Sequence, residues 1–184
     1  MDSDNLELKD GDLAPDFELV ADDGSKASLS SFRGSKVVLY FYPKDMTSGC
    51  TKGALAFRDA MPSLEELGAV VLGVSRDRVE SHRRFKEKYS LNFLLLSDPD
   101  LGVHKLYGVW REKRMYGRTF MGTERSTFII GRGGRIRRIF RKVKVSGHVE
   151  QPDNASRRCN SSDEPLRPDR ALEYRTGRIP PARH

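Results

Sequence analysis

The sequence predicts an α/β sandwich, with a mixed central β-sheet flanked by helices and entered through an N-terminal β-hairpin. Three observations carry that expectation. Two short, nearly continuous apolar runs, 37–42 and 69–74, have the composition of strands buried on both faces. Stretches with helical period alternate with them. A turn signal, GRGG at 131–134, lies between two runs rich in β-branched residues.

Taken in order, 17–20 and 27–29 flank DDGS as strand, turn and strand. SLSSFRG reads as a short turn stopped by Gly34. The run 37–42 is a central strand. Residues 50–61 read as helix, and Pro62 restarts it as a second piece over 63–67. A second buried strand covers 69–74. Residues 78–89 form a charged helix, with Val79, His82, Phe85 and Tyr89 at helical spacing. A strand over 93–96 ends in the loop SDPD. A short helix over 101–107 is closed by Gly108. Residues 126–130 and 135–140 pair around GRGG, and the adjacent Ile139 and Phe140 imply a bulge or strong twist.

Composition changes at Gln151. The stretch 151–184 has no lysine, five of the nine prolines and almost no aliphatic pattern. It buries too little apolar area to offset its ordering entropy, so the expectation is one domain over 1–150 and a disordered tail over 151–184.

The chain carries 33 Lys and Arg against 26 Asp and Glu, a net charge of +7. Its densest basic stretch is RIRRIFRKVK at 135–144. With no helix-turn-helix, zinc or RNA-binding signature beside it, the stretch reads as a solvated strand face, and no nucleic-acid partner is expected. No apolar run approaches a membrane span, so no membrane association is expected. The acidic start, MDSDNLELKDGD, resembles neither a secretory signal nor a transit peptide. The two cysteines, Cys50 and Cys159, lie far apart and suggest no disulfide framework. A reducing cytoplasm is the expected compartment. The four histidines show no ligand spacing, so no metal and no cofactor is expected.

Cys50 sits in FYPKDMTSGCTKG, where the first buried strand hands over to a helix. Two readings of it stay open on position alone. As a small hydrophobe it is a structural thiol, since Cys50, Ala54, Phe57 and Met61 share one helical face. As a reactive thiol it gains from the unpaired N–H groups and positive dipole end of a first helical turn. Gly49 allows close backbone approach. Thr47, three residues upstream, replaces the first cysteine of a Cys-x-x-Cys redox motif with a hydroxyl that can donate and accept. That combination suits a small oxygen-bearing substrate beside a lone thiolate.

PKDMTSGCT also matches the Pro-x-x-x-Thr-x-x-Cys signature of peroxiredoxins. The wider resemblance runs from GDLAPDF through SLSSFRGSKVVLYFYPKD, CTKGALAFRD, LGVSRDRVESHRRFKEKY, LLSDPD, YGVW, MYG and RSTFII to KVKVSGHVE. It covers about residues 9–150 and resembles the bacterioferritin-comigratory-protein (PrxQ) branch. The resemblance implies a thioredoxin-like fold and a thiol-dependent peroxidase for hydrogen peroxide and organic hydroperoxides, served by thioredoxin or another thiol reductant. It implies that Cys50 is the peroxidatic cysteine, passing through a sulfenic acid. It further implies that Thr47 orients the peroxide, that Pro43 walls the pocket, and that Arg125 holds the thiolate and polarises the O–O bond. Gly49 is carried along as a substrate-binding position. A monomer or weak dimer is expected.

The sequence departs from that pattern in several places. Leu55 occupies the position five residues on where many members of the branch carry a resolving cysteine. Ser48 replaces the usual proline, and Gly53 the usual Glu or Gln. Cys159 lies in the divergent tail, where the amphipathic C-terminal helix of the family is missing. A shifted reading frame or a genuine divergent extension accounts for such a tail. These departures leave a competing expectation: a catalytically impaired thioredoxin-fold protein that acts as an interaction module or holdase.

Overall fold

The computed structural model describes residues 7–143. Its elements are β1 (Glu18–Ala21), β2 (Lys26–Ser28), a 3-10 helix (Leu29–Phe32), β3 (Lys36–Phe41), α1 (Ser48–Glu66), β4 (Ala69–Ser75), α2 (Val79–Tyr89), β5 (Leu94–Ser97), α3 (Gly102–Leu106), β6 (Trp110–Met115), β7 (Arg118–Thr123), β8 (Ser126–Ile130) and β9 (Ile136–Phe140). Seven strands form one sheet in the order β2-β1-β5-β4-β3-β8-β9. β3, β4 and β5 are parallel, and the remaining pairs are antiparallel. This is the expected mixed sheet with an N-terminal hairpin.

The strand alternation divides the core into two halves. Val38 and Tyr40 of β3 face a cluster with Cys50, Ala54, Phe57, Met61 and Leu64 of α1 and Phe85 of α2. Val37, Leu39 and Phe41 face the other side, which is closed by Leu29, Phe32, Val103, Tyr107 and Val109. Every residue of β3 and β4 is buried, which is why 37–42 and 69–74 read as nearly continuous apolar runs. Gly73 interrupts β4 for a steric reason. It pairs with Tyr40, and a Cβ there would stand 2.9 Å from the Tyr40 ring and 3.0 Å from Leu95. The missing side chain lets the Tyr40 ring stack on Phe57, with centroids 4.5 Å apart.

Four local expectations change. α1 is one helix from Ser48 to Glu66 and runs through Pro62, rather than two pieces. Proline removes the N–H that would bond to the carbonyl four residues back, that of Arg58. Asn92 Nδ2 donates to that carbonyl instead, at 3.2 Å, so the acceptor is satisfied and the helix continues. The SLSSF turn is a 3-10 helix over Leu29–Phe32, with Leu29 and Phe32 as buried anchors. The expected bulge is present but earlier in β9: Ile129 pairs with Arg138 and Ile130 with Ile136, so Arg137 is the extra residue. Ile139 and Phe140 then pack on opposite halves of the core. Finally, 110–123 forms a ribbon, β6 paired with β7, separate from the main sheet. The sequence reading assigned no strands there.

The basic stretch behaves as a solvated face over its described part: Arg137 and Arg138 are exposed and Ile136 is buried. The expectations for the tail over 151–184, for Cys159 and for the missing C-terminal helix lie outside the described residues.

Candidate active site

β3 delivers the chain to the carboxyl edge of the sheet, where Tyr42 N–H still bonds to the Val74 carbonyl at 3.1 Å. The loop 43–46 then turns into α1. Met46 takes a left-handed backbone, φ 65°, and Thr47 returns to an extended conformation as the N-cap. Thr47 accepts the first helical bond through its carbonyl, from Thr51 N–H at 2.8 Å, but its side chain makes no capping bond. The N–H groups of Ser48, Gly49 and Cys50 therefore converge on the start of α1 with the positive end of the helix dipole.

Cys50 follows in this first turn and is only 3% exposed. Its helical face is the apolar one, as the spacing with Ala54, Phe57 and Met61 predicts. The structural-thiol reading and the reactive reading are therefore not exclusive, because the buried sulfur is also contacted by a charge. Arg125, between β7 and β8, donates from Nη2 to Cys50 Sγ at 3.3 Å. Its carbonyl accepts Val143 N–H at 3.0 Å. The contact sets an N–H donor and a fixed positive charge directly against the sulfur.

The surroundings keep Arg125 available. Glu124, next in the chain, turns its buried carboxylate to Arg141 Nη1 at 3.5 Å and Arg111 Nε at 3.8 Å. Gly53, one turn after Cys50, places no side chain against the guanidinium: a Cβ there would lie 3.7 Å from Arg125 Nη1. A second cation, Lys113 of β6, stands within electrostatic reach of Arg125 and Cys50. Burial, and then repulsion from Arg125, push its ammonium below the ordinary lysine range. Burial pushes Tyr40 well above the ordinary phenol range, with the nearby Cys50 and Asp45 adding to it, so its ring stays neutral.

Thr47 is not bonded to the sulfur. Its Oγ1 donates to the Lys44 carbonyl at 3.0 Å. With that proton committed, the hydroxyl presents lone pairs to a ligand, and so acts as an acceptor. Pro43 and Gly49 are half-buried on either side of this loop. The structure thus joins Cys50 to Arg125 by direct contact and brings Pro43, Thr47 and Gly49 near through the chain. Sequence reasoning missed Lys113, which lies in the unassigned ribbon. It also missed Asp45 and His82, a buried pair at 2.7 Å beneath the loop. The signal for His82 was a polar residue on the apolar face of α2.

A family model described as the AhpC/TSA family matches residues 11–139. Peroxiredoxin Bcp of Bacillus subtilis is 48% identical over 146 residues, covering 79% of this chain and 93% of the relative. Peroxiredoxin Bcp of Escherichia coli K12 is 47% identical over 141 residues, covering 77% and 90%. Among solved structures, a PrxQ mutant from Xylella fastidiosa superposes with a TM-score of 0.79 at 39% identity, covering 83% of this chain and 97% of that one. The bacterioferritin comigratory protein of Xanthomonas campestris, studied for alkyl peroxide reduction, gives a TM-score of 0.74 at 39% identity, covering 77% and 90%. With a thioredoxin-like fold, the peroxiredoxin signature and relatives of this similarity, the chain belongs to the AhpC/TSA family, in its peroxiredoxin Bcp (PrxQ) branch.

Proposed function

We propose that Cys50 performs the peroxidase chemistry of this family in this chain, with Arg125 and Thr47 as its partners. The observation that carries the reading is the Arg125 Nη2 contact with Cys50 Sγ at 3.3 Å. In the reaction the Cys50 thiolate attacks one peroxide oxygen in line. A sulfur–oxygen bond forms, the O–O bond breaks, and the electron pair leaves on the distal oxygen, which takes up a proton as water or alcohol. Sulfur is oxidised to sulfenic acid and the peroxide is reduced. Arg125 meets the negative charge first on sulfur and then on the leaving oxygen. Thr47 accepts the peroxide O–H, and Pro43 and Gly49 bound the pocket.

An external thiol then attacks the sulfenic sulfur and releases water. A second thiol exchanges with the mixed disulfide and restores Cys50. Leu55 has no sulfur, which removes the local resolving route. Hydrogen peroxide and organic hydroperoxides are the proposed substrates. Thioredoxin is the proposed physiological reductant, a reducing cytoplasm the compartment, and a monomer or weak dimer the working form. The intact Cys50–Arg125 contact argues against the catalytically impaired reading.

The test is peroxide consumption with dithiothreitol, or with thioredoxin and its reductase. Cys50→Ser is expected to lose turnover while keeping its circular dichroism spectrum, because serine is a poor nucleophile at neutral pH. Cys159→Ser is expected to turn over like the parent. Undiminished activity in Cys50→Ser would remove the assignment. A collapse in Cys159→Ser would make that residue the resolving thiol.

A further inference from the structure

The loop between β3 and α1 rests on a buried polar cluster that the peroxidase reaction, as described so far, does not use. Asp45 is 3% exposed and His82, on the first turn of α2, is 0% exposed. His82 Nδ1 lies 2.7 Å from Asp45 Oδ2, and His82 Nε2 lies 3.1 Å from the Leu96 carbonyl. Both ring nitrogens therefore face oxygen atoms of the cluster and the strand beside it. Tyr42 O–H donates to Asp45 Oδ1 and Ser81 O–H to Oδ2, the latter at 2.8 Å. The Asp45 backbone N–H donates to Asp77 Oδ2 at 2.8 Å, and Ser75 O–H donates to the same oxygen.

We infer that Asp45 and His82 are positioning residues for the peroxide reaction, acting through the loop that carries Thr47. A single residue, Met46, separates Asp45 from Thr47, and it holds a left-handed backbone. A non-glycine residue in that region persists only where its neighbours fix it. On one side the neighbour is the N-cap of α1. On the other it is Asp45, whose carboxylate receives three donors and whose N–H meets a fourth group. The lone pairs of Thr47 aim at a ligand because Thr47 O–H is turned to Lys44, and Lys44 precedes Asp45 directly. Release of Asp45 frees Lys44 and Met46 together, and with them the direction of the Thr47 hydroxyl. The Arg125 hydrogen bond to Cys50 Sγ involves no member of that cluster.

This inference rests on the peroxidase reading, and its test separates the two. Two rates are read on Cys50 in the full chain. One is the second-order reaction of the reduced enzyme with peroxide. The other is alkylation of the Cys50 peptide by iodoacetamide, followed by mass, which reads sulfur but needs no oriented peroxide. Asp45→Ala is expected to slow the peroxide reaction at least tenfold and to change alkylation less than twofold. Asp45→Asn is expected to stay within threefold of the parent in both. Its Oδ1 still accepts from Tyr42, and its amide keeps a hydrogen-bonding group of nearly the same shape against His82 Nδ1. Tyr42→Phe, which loses one donor and little volume, is expected to lose about threefold toward peroxide and keeps the test open should Asp45→Ala not fold.

Parental peroxide rates in Asp45→Ala, or in Tyr42→Phe should that be the folded variant, overturn the inference. So does alkylation that falls in step with peroxide reduction. Asp45→Asn as slow as Asp45→Ala also overturns it. A parent that does not react with peroxide overturns the peroxidase reading and this one with it.

Discussion

Replacing Arg125 by alanine removes the side-chain donor that Cys50 Sγ receives among the described residues. At 3.3 Å a unit charge pair is worth about 5 kcal/mol at an effective dielectric of about 20. For an attacking thiolate, most of that is in place in the ground state as well as in the transition state. Only the part that is larger in the transition state accelerates the step. As the O–O bond breaks, charge moves from sulfur to the leaving oxygen, and the guanidinium fork can meet both atoms at once. Loss of one such preorganised donor group costs about 2.7–4 kcal/mol, or about 10²–10³ in rate. Arg125→Ala is therefore expected to lower the second-order peroxide rate constant by that factor. Arg125→Lys keeps a charge without the fixed fork and falls between. The assay is rapid mixing of reduced enzyme with peroxide, quenching and intact mass. An Arg125→Ala rate within twofold of the parent would refute the argument.

Three further outcomes follow from the packing and the electrostatics. Gly53→Ala is expected to raise stability by about 1 kcal/mol in urea denaturation, since the helix gains a better former and the new Cβ meets Arg125 Nη1 only at an ordinary 3.7 Å. Gly73→Ala is expected to lower stability by about 1–3 kcal/mol by the same measurement, because its Cβ would stand 2.9 Å from the Tyr40 ring. Burial pushes the Asp98 carboxyl up, but bonds from His104 Nδ1 and the His104 backbone N–H, together with the pull of His104, outweigh it and hold the group below its ordinary 3.8. A lowered folded value means stability that is complete above about pH 4 and is lost as pH falls through the lower, folded value. Acid unfolding of Asp98→Asn should accordingly show a shallower decline below pH 4 than the parent.

The parts legible in sequence were those governed by neighbours along the chain. The apolar runs of β3 and β4 are buried on both faces, and their composition says so. Cys50 at the start of α1 follows from a strand, a loop and a helical period in immediate succession. Pro62 misled because its local effect is real, and the compensating donor, Asn92, comes from thirty residues away in sequence. The ribbon β6–β7 escaped because it pairs only with itself. Met115, Tyr116, Phe120 and Met121 are all exposed on it, so no buried face imposes an alternating pattern. Arg125 was one arginine among many, and only family resemblance selected it. Its contact with Cys50 spans 75 residues, and Asp45 meets His82 across 37, so neither pairing leaves a periodic trace.

The near-complete burial of Cys50 bears on the timing of the proposed catalytic cycle. A peroxide is small enough to reach a sulfur that is 3% exposed, but a protein thiol approaching in line with that sulfur is not. On the proposed mechanism a protein reductant therefore needs the first turns of α1 to open, whereas the oxidant meets them wound. Opening forfeits helical bonds and the packing of Cys50. Its cost is reduced by Gly49 and Gly53, each about 1 kcal/mol poorer than alanine in a helix. A segment built this way spends most of its time closed and opens on its own schedule. With a protein reductant and abundant peroxide, turnover is then expected to level off at the rate of that opening rather than at the rate of O–O cleavage.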